Sequence, residues 1–238
     1  MRTVICLPTY DERENLGQMV AALRRLELDD LHVLVIDDNS PDGTGEIADR
    51  LAAEDDHVHV LHRERKEGLG PAYLAGFRRA LELGADLVFE MDCDFSHDPA
   101  DVPRLAAATA NADLVLGSRY VQGGGTRNWG FVRRFISRGG SLYAQVLLQS
   151  GVRDLTGGFK CYRRKVLETI ALGGISALGY AFQIETTYRA LRAGFRVIEV
   201  PITFSDREVG GSKMSRGIVL EAIWRVPVLR GRALLRRL

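Results

Sequence analysis

Residues 87–97 read LVFEMDCDFSH, an apolar run that ends in two carboxylates one residue apart, Asp92 and Asp94. The run Leu87-Val88-Phe89 fits a buried strand, and the acids fall where that strand stops. In open α/β sheets, ligands bind beyond the carboxyl ends of the strands. Side chains two positions apart on an extended chain share a face, so Asp92 and Asp94 aim at one place if the extension persists. Two hard oxygen donors there suit Mg²⁺ or Mn²⁺, with a nucleotide diphosphate as a further ligand. A solvated turn rich in Asp and Pro explains the same residues more plainly, and the rest of the chain has to decide.

Outward from this stretch, short apolar runs alternate with amphipathic ones. Strands are expected at 3–7, 31–36, 58–61, 85–91 and 113–117, and helices at 15–26, 45–53, 72–83 and 99–110. That alternation predicts a mainly parallel sheet with helices on both faces. After Tyr120 the pattern changes. A flexible Gly123-Gly124-Gly125 loop precedes a basic amphipathic helix at 131–148. A Gly-rich, then strand-like stretch follows at 154–162, with helices at 163–170 and 180–193 and a strand at 195–200. A polar loop at 204–213 leads to a basic helix at 216–238, expected to break or kink at Pro227. The expected organisation is one α/β domain over 1–215 and the basic helix as an appendage.

Composition narrows the function. The 238 residues are 46% hydrophobic, enough for a substantial core, and the net charge of +1 does not indicate a nucleic-acid binder. Charge is unevenly placed, however: between Asp113 and Asp154 there is no carboxylate, yet Arg119, Arg127, Arg133, Arg134, Arg138 and Arg153 all fall there. Arginine is a preferred partner of phosphate oxygens. Cys6, Cys93 and Cys161 are too scattered for a metal knuckle and odd in number, which argues for a reducing, cytosolic compartment. No signal peptide and no run of 18 apolar residues is evident.

Acids also end the second strand, at Asp37-Asp38. A dinucleotide-binding fold expects G-x-G-x-x-G after strand one, but Pro8-Thr9-Tyr10-Asp11-Glu12 contains no glycine, and no Walker A sequence is present. Carboxylates repel phosphate unless a cation lies between, so the acids argue for a metal-bound nucleotide and the arginines for further phosphate groups. Arg119, at the next strand end, is expected beside the metal position.

Four segments occur in order: Pro8-Thr9-Tyr10-Asp11-Glu12, then 37–44 (DDNSPDGT), then 91–97 (MDCDFSH), then Gly117-Ser118-Arg119-Tyr120. This set resembles the inverting GT-A glycosyltransferases, whose fold is the Rossmann-like one of nucleotide-diphospho-sugar transferases. Asn128-Trp129-Gly130 with Arg133 and Ser137, 154–160 (DLTGGFK), 179–185 (GYAFQIE) and 206–213 (DREVGGSK) narrow the resemblance to the dolichol-phosphate (polyprenol-phosphate) mannosyltransferases. It covers about residues 4–213.

The resemblance implies roles. Pro8, Tyr10, Glu12, Ile36 and Asp38 would form the nucleoside pocket, and Asp92, Cys93 and Asp94 the diphosphate and metal segment, with Asp94 the direct ligand to Mg²⁺ or Mn²⁺. Ser96 stands where some members carry Gln. Arg119, Arg133 and Ser137 would hold the acceptor phosphate, and Arg207 and Lys213 the donor phosphates. The implied substrates are GDP-mannose and a polyprenyl phosphate lipid. A lipid phosphate is already anionic at pH 7, so no general base is required, which fits the absence of an evident one; His97 reads better as structural. The same fold with UDP-glucose or a soluble acceptor, a catalytically silent nucleotide-sugar-binding module and a metal-dependent phosphohydrolase are the alternatives. Residues 216–238 interleave Trp224 and aliphatic residues with arginines, a composition for lying on an anionic membrane surface or docking on a membrane subunit. A peripheral, cytoplasmic-face location follows.

Overall fold

A computed structural model describes residues 1–175, 179–206 and 216–235. Its centre is strand β1 (Thr3–Thr9), with β2 (Leu31–Asp37) and β4 (Leu87–Glu90) parallel on either side and β3 (Val58–His62) on the edge beyond β2. Beyond β4 lie β7 (Lys160–Arg163), β5 (Leu114–Ser118) and β8 (Val197–Pro201), giving the order β3-β2-β1-β4-β7-β5-β8. Only β7 is antiparallel to its neighbours. A small ribbon pairs β6 (Gly125–Arg127) with β9 (Thr203–Ser205) in parallel.

The central strands are apolar on both faces, as a sheet covered on both sides requires. Val4 and Cys6 of β1 join one core and Ile5 and Leu7 the other. The first core is covered by α3 (Leu69–Glu82), α5 (Phe131–Leu148), α6 (Arg164–Thr169), α7 (Gly179–Arg192) and α8 (Arg216–Leu234). The second is covered by α1 (Leu16–Arg24), α2 (Thr44–Glu54) and α4 (Val102–Ala108). The expected α/β sheet with helices on both faces is therefore what forms.

Three details depart from the sequence expectation. First, β7 inserts between β4 and β5, so Arg119 is not on the strand next to Asp92. Second, the segments expected as loops at 123–125 and 204–213 contribute the β6–β9 ribbon, held in part by the Gly125 amide donating to the Ile202 carbonyl. Third, α8 is not broken at Pro227, which lies inside one continuous helix. It is also less of an appendage than its composition implies, because Val226, Leu229 and Ala233 belong to the first core.

β7 brings Lys160 into that core with no exposure at all. Its Nζ donates to the Gln183 carbonyl (2.9 Å), to Gln183 Oε1 (2.6 Å) and to Thr186 Oγ1 (3.2 Å), and lies 4.0 Å from Glu90. Glu90 accepts from Tyr162 Oη at 3.1 Å and from the Gln183 amide. Burial pulls the Lys160 ammonium down to about 8 and pushes the Glu90 carboxyl up. This polar layer lies at the end of β4, directly before the acidic turn.

Phe77 on α3 is fully buried, with ring centroids 5.8 Å from Tyr73, 5.4 Å from Tyr162 and 6.3 Å from Phe182. Phe77→Ala should lower the unfolding free energy by about 3–5 kcal/mol in a denaturant titration, because so crowded a site cannot collapse around the cavity.

Candidate active site

β4 stops at Glu90, and the chain turns through Asp92, Cys93 and Asp94. Asp94 is buried, and its Oδ1 accepts from the Ser96 amide (3.0 Å) and the Ser96 hydroxyl (2.5 Å). Phe95, between them, has φ +58°, a left-handed conformation that a bulky residue adopts only under constraint. The turn is thus held in a costly shape that fixes the Asp94 carboxylate. The Asp92 amide donates to Nδ1 of His97 (3.3 Å), and the Tyr73 hydroxyl donates to Asp92 Oδ1 (3.5 Å).

His97 is buried, stacked on Phe159 at 5.0 Å and edge-on to Phe204 at 5.1 Å. Burial drives its pKa down to about 4, so it is neutral at pH 7 and Nδ1 can accept. It supports the acidic turn, in line with the structural reading of the sequence.

The ends of β1 and β2 form the opposite wall. Lys66 Nζ lies 3.4 Å from the centroid of the Tyr10 ring. Buried Glu12 accepts from Asn15 Nδ2 at 2.8 Å, while its amide donates to Thr44 Oγ1 at 3.0 Å. The Asp38 amide donates to the Thr9 carbonyl (3.0 Å), and its carboxylate pairs with Arg63. Burial raises the Asp38 pKa despite that arginine. Pro8 is partly exposed beside them. The Ile36 side chain is fully buried and lies where a Cβ on Gly76 of α3 would meet it, so that side chain packs in the core.

The basic wall is built around Arg119, also buried. Its Nε and Nη2 grip Asp154 in a fork, 2.7 Å each, and Nη2 also donates to Thr156 Oγ1 at 3.0 Å. Glu199 accepts from the Asp154 amide (2.9 Å) and the Ser118 hydroxyl (2.7 Å), tying β8 to β5. Arg119, expected to hold an acceptor phosphate, has two of its donors on Asp154.

Arg133 and Ser137 lie on the first turns of α5. Arg133 Nη1 reaches Asp206 at 2.5 Å, and its guanidinium sits 4.3 Å from the centroid of the Trp129 ring. Ser137 accepts from the Tyr120 hydroxyl at 2.7 Å. Among the described residues, Nε of Arg133 and Nε1 of Trp129 are buried donors without a hydrogen-bond partner. Two such donors side by side are costly unless something accepts from them. The walls are continuous, since Trp129 meets Phe204 edge-on at 5.3 Å and Phe204 meets His97.

The structure thus brings together Asp92, Cys93, Asp94, Arg119, Arg133 and Ser137, with Pro8, Tyr10, Glu12 and Asp38 across the sheet end. Arg207 and Lys213 lie outside the described residues. Sequence reading missed Asp154 and Glu199 as the groups that fix Arg119. Asp154 opens a recognised segment, but nothing in spacing ties it to Arg119, 35 residues away. Removing one partner of a buried ion pair strands the other, so Asp154→Ala should destabilise the fold by about 3–5 kcal/mol in chemical denaturation.

The family model for glycosyl transferase family 2 matches residues 4–171. The polyprenol monophosphomannose synthase of Mycolicibacterium smegmatis is 50% identical over 227 residues, covering 94% of this chain and 85% of that protein. The undecaprenyl-phosphate mannosyltransferase of Micrococcus luteus is 51% identical over 223 residues, with 94% and 91% covered. Among solved structures, glucosyl-3-phosphoglycerate synthase from Mycobacterium tuberculosis with UDP has a TM-score of 0.70 at 19% identity, over 97% of this chain and 80% of that one. A crystal of the same enzyme with Mn²⁺, UDP-glucose and phosphoglyceric acid gives the same values. That likeness concerns the fold, whereas the family match and the two relatives at half identity define descent: this chain is a glycosyltransferase and belongs to glycosyl transferase family 2.

Proposed function

We propose that the protein transfers mannose from GDP-mannose to a polyprenyl monophosphate with inversion, releasing GDP. The observation that carries this reading is the meeting of an acidic turn and an arginine-bearing helix start across one sheet end. Two relatives at half identity, named for mannosyl transfer to polyprenol or undecaprenyl phosphate, support the sugar and the lipid.

The carboxylates fit a divalent cation, because Asp92 and Asp94 offer hard oxygens and Ser96 orients one of them. Asp92 and Asp94 would hold Mg²⁺ or Mn²⁺, which when bound neutralises the donor diphosphate and stabilises the leaving nucleotide. Tyr10, Glu12 and Asp38 line the position for the nucleoside. Arg133 and Trp129 offer N–H donors to the acceptor phosphate, with Ser137 beside them. Arg119, locked to Asp154 in a charge-balanced pair, holds its guanidinium in a fixed place beside Tyr120, Trp129 and Phe204 without adding net charge. Arg207 and Lys213 are proposed as further donor-phosphate contacts. The attacking phosphate oxygen carries its own negative charge, so the protein positions and screens without abstracting a proton.

The test is incubation of purified protein with labelled GDP-mannose, labelled UDP-glucose and a polyprenyl phosphate, counting label in the organic phase. Only GDP-mannose should label the lipid. Asp94→Ala should remove nearly all turnover, and Arg133→Ala should lower kcat/KM for the acceptor about ten- to a hundredfold, the value of a charge-assisted contact of about 1.5–3 kcal/mol. Label from UDP-glucose alone, or full turnover by Asp94→Ala, would overturn the assignment.

A membrane surface is the proposed setting, and α5 joins α8 in it. Phe131 and Phe135 are 80% and 71% exposed, with Arg134 and Arg138 between and after them, and Trp224 of α8 is 76% exposed. The helices touch through the Tyr143 hydroxyl donating to the Ile223 carbonyl at 2.9 Å. Exposed aromatic and basic side chains together suit an anionic lipid interface. No helix among the described residues is long and apolar enough to cross a membrane. Because α8 also carries core residues, substitution is a cleaner test than truncation. Phe131→Ser with Trp224→Ser should abolish sedimentation with phosphatidylglycerol vesicles while leaving the melting temperature unchanged. Unaltered vesicle binding would refute the interface and leave a protein partner as the occupant.

A further inference from the structure

The opposite edge of the sheet, where β2 and β3 begin, carries a second set of metal-binding side chains. Val33 pairs with Val58, so His32 and His57 sit across from each other one step earlier. His59 lies two positions beyond His57 and shares its face. His32 Nε2 is 2.8 Å from Asp30 Oδ1, and its Nδ1 is 2.9 Å from His59 Nε2. The rings of His32 and His57 lie 4.7 Å apart. One ligand atom each from Asp30, His32 and His57 fall within 4.8 Å of one another, the only such grouping of three among the described residues.

The surroundings orient these groups. His59 engages Nδ1 of His32, which leaves Nε2 facing Asp30. Asp55 sits 3.2 Å from Nδ1 of His57 and accepts from its amide at 2.9 Å, leaving Nε2 for a ligand. Arg24 holds Asp55 at 2.7 Å, and Arg2 holds Asp30 at 3.1 Å. A carboxylate partner on the second ring nitrogen, as Asp55 gives His57, is what metal-binding histidines commonly have. Asp30 itself adopts φ +51°, an uncommon backbone state that lifts its carboxylate toward His32. His32 is 8% exposed, so two imidazoles and a carboxylate meet at a partly dry place.

We propose that Asp30, His32 and His57 form a binding site for a divalent transition metal, Zn²⁺ by ligand type, that clamps edge strand β3 to β2. Nitrogen-rich donor sets favour Zn²⁺ and its neighbours over Mg²⁺. The site is separate from Asp92 and Asp94, which lie at the other ends of the strands, about 20 Å away for a strand of this length. Its role is structural, a cross-link between strand starts on the sheet edge.

Calorimetric titration of tag-free, chelator-treated protein with ZnCl₂ at pH 7.5 tests it. Wild type and Asp94→Asn should each bind Zn²⁺ at this site with micromolar or tighter affinity, and the melting temperature should rise on binding. His57→Gln, a half-exposed position, should weaken that uptake at least tenfold and cancel the thermal shift, while mannosyl transfer with Mg²⁺ stays at the wild-type rate. Cobalt substitution should give visible absorption in wild type that His57→Gln loses. Zinc uptake unchanged by His57→Gln, absent from wild type, or lost only with Asp94→Asn would overturn the proposal.

Discussion

A guanidinium cannot be buried without a matched anion, and Arg119 is buried. Asp154 supplies the match with a two-point grip, and Glu199 in turn holds the Asp154 amide and the Ser118 hydroxyl. Thr156, which completes the grip, also meets Ser141 of α5 at 2.9 Å. One ion pair therefore links β5, β8 and α5. The Trp129–Phe204 contact and the Arg133–Asp206 pair lie on the frame it fixes. Its energetic worth is not chiefly net stabilisation, since buried pairs cost desolvation. Its consequence is geometric: the Arg119 guanidinium is fixed to the scaffold by Asp154 rather than carried on a mobile side chain.

The acidic half is fixed by different means. A strained residue, Phe95, and a hydroxyl, Ser96, set Asp94, while the neutral ring of His97 takes the Asp92 amide. Behind this turn, Lys160 and Glu90 sit in the core with Gln183, Tyr162 and Thr186 satisfying them. The antiparallel strand β7 makes this possible by carrying Lys160 to the end of β4. A parallel neighbour at that position would have needed a crossover connection there. The result keeps the acidic and basic walls apart by one strand, yet joins them through Phe204.

Exposed apolar surface gathers on α5 and α8, close to the basic wall. Phe131, Val132, Phe135 and Val146 of α5 and Trp224 of α8 face outward, although both helices also pack inward through Ala144, Leu148, Val226 and Leu229. A helix apolar on both sides needs something other than water on the second side. The proposed polyprenyl acceptor carries a long hydrocarbon chain, and the proposed lipid surface would meet that need beside the residues proposed to take the acceptor phosphate.

The sequence by itself determined the α/β alternation, the acidic strand ends and family-like segments in order, because hydrophobic period, turn residues and short motifs are local properties. It singled out Asp92, Asp94, Arg133 and Ser137 as candidate site residues. It did not reveal that Arg119 grips Asp154, that Glu199 supports that grip, or that Ile36 is core. Nor did it place β7 between β4 and β5, or gather Asp30, His32 and His57 at one edge. Each of these depends on which strands become neighbours and on what a buried charge finds nearby. Those are long-range outcomes of packing and desolvation, and only the tertiary structure decides them.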